Sequence, residues 1–94
     1  MATETQIQKS ISSHLDKNGW FILRLKVTNI GGIPDLLALK KDHPPFFIEV
    51  KKTSGGIVSK LQEYIIRKLI SLGFDAIVAN SLDVVKEYEK KKNW

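Results

Sequence analysis

Residues 31–39 read GGIPDLLAL and residues 46–52 read FFIEVKK. Between them lies Lys40-Lys41-Asp42-His43-Pro44-Pro45, which is turn chemistry. Two apolar runs joined by such a turn predict an antiparallel hairpin, with strands over 33–39 and 46–52. Three charged groups interrupt those runs: Asp35, Glu49 and Lys51. Residues i and i+2 of a strand share a face, so Glu49 and Lys51 point one way and Val50 the other. The hairpin also brings Asp35 close to the position opposite Glu49. Two carboxylates and one ammonium thus converge on one patch of sheet.

The flanking sequence supplies the rest of a small α/β domain. Thr3-Glu4-Thr5-Gln6 fits a capping box, and Ile7, Ile11 and Leu15 recur at helical spacing, so residues 3–18 predict a helix closed by Gly19. Residues 20–27, WFILRLKV, alternate partly and predict a strand. After the hairpin and a Ser54-Gly55-Gly56 loop, Ser59 to Gln62 opens a second helix. Its stripe is Leu61, Ile65, Leu69 and Leu72, and it stops at Gly73. Residues 75–80, DAIVAN, predict a strand, and Ser81 caps a last helix carrying Leu82, Val85 and Tyr88. The order is αβββαβα, a single domain over 1–94. A helix between strands three and four joins parallel strands, so the sheet is mixed, four-stranded and flanked by helices.

Composition narrows the function. The absence of cysteine excludes disulfide frameworks and thiolate metal sites. No apolar stretch reaches a membrane span, which predicts a soluble intracellular protein with no membrane partner. Fifteen Lys and Arg against ten Asp and Glu give +5, a balance suited to a phosphate-rich partner. The lysine run at residues 90–92 reads as solvated surface. His14 reads as a helix-surface residue and His43 as a turn residue, with no ligand cluster between them. Trp20, Phe21, Phe46 and Phe47 read as core.

An unpaired buried carboxylate is strongly disfavoured, and two adjacent ones repel unless a cation lies between them. A hard divalent ion such as Mg²⁺ or Mn²⁺ answers this with oxygen ligands and water, and the Val50 carbonyl is a further ligand candidate. The competing reading is a plain Lys51 salt bridge to Glu49 or Asp35 on a solvated face. Glu4 lies on the stripe of Ile7, Ile11 and Leu15, which points its carboxylate inward; helix-dipole stabilisation is the bland alternative. Gln62 completes a capping box with Ser59, and it also stands where it can reach a water or phosphate near the acids. Gly31, Gly32, Gly55 and Gly56 permit close approach of a nucleic-acid backbone, or are ordinary turn glycines.

Taken together, G-x-P-D-L, I-E-V-K and S-x-x-Q resemble the PD-(D/E)xK nuclease superfamily, and within it the VRR-NUC (virus-type replication-repair nuclease) family. The resemblance runs from Glu4 through the last helix. It implies a metal-dependent phosphodiesterase acting on DNA. Asp35 and Glu49 match its metal ligands, Lys51 its catalytic lysine, Glu4 its helix-one acid, Gln62 its helix glutamine, and Val50 its carbonyl contact. Stand-alone members, typically from phages, resemble Holliday-junction resolvases, which implies a homodimer on branched DNA in the host cytoplasm. Arg24, Lys52 and Lys60, with Gly31 and Gly32, are the expected DNA contacts. The alternative is a non-catalytic DNA-binding module on the same fold.

Overall fold

A computed structural model describes residues 2–94. Helix α1 spans Glu4–Lys17 and opens with the expected capping box: the Gln6 amide donates to Thr3 Oγ1 at 3.2 Å and the Thr3 amide to Gln6 Oε1 at 2.9 Å. Ile7, Ile11 and Leu15 are buried along its inner stripe. The chain then turns through Gly19, whose φ of +89° lies in the left-handed region that favours glycine.

Four strands follow the predicted order. They are β1 (Phe21–Arg24), β2 (Leu36–Leu39), β3 (Phe46–Val50) and, after helix α2 (Lys60–Ser71), β4 (Asp75–Ala79); helix α3 covers Leu82–Lys91. The sheet order is β1-β2-β3-β4. The first two pairings are antiparallel and the third is parallel, as the α2 crossover requires. The expected mixed four-stranded sheet flanked by helices is therefore the observed one. Strands β1 and β2 are shorter than their apolar runs. Their ladder fades after the Leu25 amide reaches the Asp35 carbonyl at 2.8 Å, because Gly31 and Gly32 turn the connecting loop away.

Alternation along the strands sorts the side chains into two layers. Leu36, Ala38, Phe46, Ile48, Val50 and Ala79 pack with Ile7, Ile11 and Leu15 of α1 and Val85 of α3 in one core. Helix α2 packs over β4 on the other face, with Ile65 buried. At one end of the main core, Trp94 meets Trp20, Phe46 and Tyr88 with ring centroids 5.1–5.5 Å away, and His43 lies 5.1 Å from Trp20.

Several side chains depart from expectation for identifiable reasons. Phe21 is 64% exposed rather than core, because β1 is an edge strand and α2 covers only the far side of that face. Phe47 is half-buried and faces Phe74. Leu61, in the first turn of α2, and Leu72, at its C-cap, are exposed, with Leu61 lying against the Gly32 loop. Ser81 holds the N-cap position of α3 but makes no side-chain cap bond. His14 is not free surface: its Nε2 meets Glu89 Oε1 at 2.6 Å and ties α1 to α3. Among the described residues, no helix is long and apolar enough to cross a membrane.

Candidate functional site

Strands β1 and β3 both run antiparallel to β2, so both end where β2 begins. Asp35 sits one residue before β2, and Glu49 is the penultimate residue of β3. The register that pairs Leu36 with Ile48 sets Asp35 opposite Glu49. Buried Pro34 restricts the approach to this point. The Asp35 backbone is held by Leu25, and its Oδ2 accepts the Val50 amide at 2.8 Å. The carboxylate thus takes the place of a strand partner beyond the last ladder pair. A residue's amide and carbonyl leave a strand on the same edge, so the Val50 carbonyl also faces the Asp35 side.

Glu49 is 3% exposed. Its Oε2 accepts a hydrogen bond from Gln62 Nε2 at 3.2 Å and pairs with Lys51 Nζ at 3.4 Å. Burial pushes its carboxyl up to about 7, and the neighbouring Asp35 carboxylate adds to this, while Lys51 pulls the other way. One ammonium therefore answers two carboxylates. The salt bridge that competed with a functional reading is present, yet when both acids are ionised it leaves a net negative charge in a site closed to water on the Glu49 side.

Gln62 completes the expected capping box and also bonds one of the acids directly. Its Oε1 accepts the Ser59 amide at 3.0 Å and its own amide donates to Ser59 Oγ at 3.1 Å, completing the capping box. Its Nε2 remains free to bond Glu49. The first turn of α2 is thereby fastened to the acid pair. Two glycines make the approach possible. A Cβ on Gly32, at φ +80°, would stand 2.7 Å from Leu61 Cγ, so this glycine seats α2 against the loop entering β2. A Cβ on Gly56 would stand 2.9 Å from Lys51 Cβ, so this glycine lets the following loop close over the lysine stem.

Glu4 corrects an expectation. It lies in the first turn of α1 but is exposed, because α1 begins beyond the edge of the core and its first buried residue is Ile7. Among the described residues, no three acidic or histidine side chains gather as a metal site. The oxygen donors brought together are those of Asp35, Glu49 and the Val50 carbonyl. Two carboxylates and one carbonyl, with water making up the remainder, suit a hard divalent ion.

Two solved structures share this architecture. A VRR_NUC domain superposes with a TM-score of 0.82 at 23% sequence identity, covering 95% of this chain and 97% of its own. The fold is that of a VRR_NUC domain. A VRR_NUC domain protein agrees with a TM-score of 0.72 at 22% identity, over 96% of this chain and 90% of its own. No protein-family profile and no curated protein matches the chain.

Placed on the VRR_NUC fold, the remaining predicted residues divide. Lys52 follows β3 and Lys60 opens α2, both exposed at the sheet end that carries the acids. Gly31 and Gly32 lie in the loop before Asp35 and line a depression with it. Arg24 is exposed at the end of β1 but turns to the α1 side, where it shares a different depression with Lys9 and Asp16. The sequence reading missed Thr53, Val58 and Asn80, which line a depression of about 290 Å³ beside Lys51. Asn80 has no local signal for this placement, since only the parallel β3–β4 pairing brings the two strand ends together.

Proposed function

We propose that the protein is a divalent-metal-dependent DNA endonuclease of the VRR-NUC family. The observation that carries this reading is the pairing of Asp35 with buried Glu49, with the Lys51 ammonium 3.4 Å from the latter. Asp35, Glu49 and the Val50 carbonyl are the residues that would hold Mg²⁺ or Mn²⁺. When bound, such an ion makes water more acidic and offsets charge on a phosphoryl oxygen. Lys51 is held by Glu49 with its stem under the Gly56 loop, and from there its ammonium orients a water or donates to a phosphate oxygen. Gln62 is a positioning residue that fixes the Glu49 carboxylate against α2. Lys52 and Lys60 meet the flanking phosphates, with Gly31 and Gly32 on the opposite side of the groove, and Arg24 extends the contact around the edge of β1.

The substrate we propose is branched DNA, cut by a homodimer, since one site cuts one strand and this domain is small. The open face of β1 supports self-association: Phe21 and Leu23 are 64% and 36% exposed on a strand whose outer side no helix covers. The test is incubation of supercoiled plasmid and a four-way junction with Mg²⁺ or Mn²⁺, and with a chelator. Cleavage that needs the metal and disappears in Asp35→Ala and Lys51→Ala is the expected result. DNA binding without cleavage of any substrate would leave a non-catalytic binding module.

A further inference from the structure

The two most exposed large apolar side chains of the described residues are Val27 at 94% and Ile57 at 82%. Neither belongs to the core, so neither is explained by packing. They occupy the loops that leave β1 and β3, and those strands end on the same side of the sheet. Val27 lines a depression of about 480 Å³ together with Asp35 itself. Ile57 lies between Gly56 and Val58, which line the depression beside Lys51. Lys26 adjoins the first tip, and Lys52 and Lys60 bracket the loop that carries the second. The first tip thus has one lysine beside it in sequence and the second lies on a loop bounded by two, and the two loops leave strands on either side of β2, at the end where Asp35 and Glu49 stand. The open apolar face on β1 is a separate feature, for Phe21 starts that strand at the opposite end.

We infer that Val27 and Ile57 are wedges that enter the base stack on either side of the phosphate held at Asp35 and Glu49. This deepens the nuclease reading and rests on it. Lysines on the same loops neutralise the backbone, while the apolar tips have a favourable place only where stacked bases part. Parting is least costly where pairing is already interrupted, so the wedges select branch points and unpaired ends over continuous duplex. The selection comes from DNA deformability and needs no base-edge hydrogen bond.

The test uses a junction carrying 2-aminopurine beside the branch point, mixed with the full chain in a Lys51→Ala background with Mg²⁺. Binding is followed by anisotropy and unstacking by 2-aminopurine emission. The expected result is a rise of about twofold or more on binding, lost in Val27→Ser/Ile57→Ser while affinity stays within about threefold. Both positions are exposed, so the substitutions leave the fold intact. Binding with no rise in emission, or a rise that persists in the double variant, overturns the inference. So does a change in sedimentation of the double variant, which would make the tips a protein interface. Absence of binding to any DNA would instead remove the nuclease reading on which the wedges depend.

Discussion

Glu49 and Asp75 are the two acidic side chains buried in this sheet, at 3% and 7% exposure, and their surroundings treat them in opposite ways. Asp75 opens β4 and accepts a hydrogen bond from the Tyr88 hydroxyl, with Lys92 Nζ 3.2 Å away. Its charge is matched one for one. Burial, and then the hydrogen bond to Asp75, holds the Tyr88 phenol well above its usual range, so it stays a donor. Glu49 also has a lysine and a neutral donor, but burial, and then the second carboxylate it faces, push it up to about 7. Two negative groups share one ammonium. The difference teaches that burial alone does not single out a candidate site acid. The mark is a local charge that the chain leaves uncompensated.

The largest effects should separate the surroundings of these two acids by activity. Asp35→Ala and Lys51→Ala are expected to reduce cleavage by about 10²–10⁴-fold in single-turnover assays while thermal melts show a folded protein. Asp75→Asn should leave turnover per folded molecule unchanged. Loss of turnover per folded molecule in Asp75→Asn would break the contrast.

The next effect is on stability and its pH dependence. The folded pKa of Glu49, about 7, lies above its ordinary value of 4.5. The folded state therefore keeps a proton that the unfolded chain releases in that interval. In chelator, the contribution of Glu49 to stability is fullest below about pH 4.5, falls as pH rises to about 7, and is flat above. The loss amounts to about 3 kcal/mol. Urea melts of wild type against Glu49→Gln should show a gap that widens with pH over this window, with the variant the more stable above pH 7. A gap independent of pH would mean that burial and Asp35 together do not raise the Glu49 carboxyl on folding.

Asp75→Asn should act in the other direction, costing about 1–3 kcal/mol by denaturant melts, because Tyr88 and Lys92 lose a charged partner. The smallest effect concerns the link between α2 and the site. Ser59→Ala should cost about 1 kcal/mol as a lost cap, and it should also loosen Gln62 on Glu49. If cleavage is untouched by Ser59→Ala at equal folding, the cap is structural only.

Most of the architecture was legible because each element carries apolar residues at a recognisable period and is bounded by cap or turn residues. Ile7, Ile11 and Leu15 mark α1, and the Pro-rich turn fixes the β2–β3 register that opposes Asp35 to Glu49. The acid pair was readable for the same reason, since register is local to a hairpin. Placement beyond a hairpin was not. Glu4 continues the stripe of α1 by spacing, but the stripe runs past the edge of the core. Phe21 has core chemistry, but only the tertiary layout reveals that no helix covers the face of β1 that carries it. The His14–Glu89 pair, the Trp94 closure of the aromatic cluster and the arrival of Asn80 beside Lys51 join residues far apart in sequence, so no local pattern announces them.

The central claim is that Asp35 and Glu49 share one divalent ion, and calorimetric titration with Mn²⁺ across pH 6–8 tests it most directly. One ion per chain should bind, with proton release below about pH 7 as Glu49 ionises, and binding should vanish in Asp35→Asn. Absence of Mn²⁺ binding, or binding that Asp35→Asn leaves unchanged, would contradict the account.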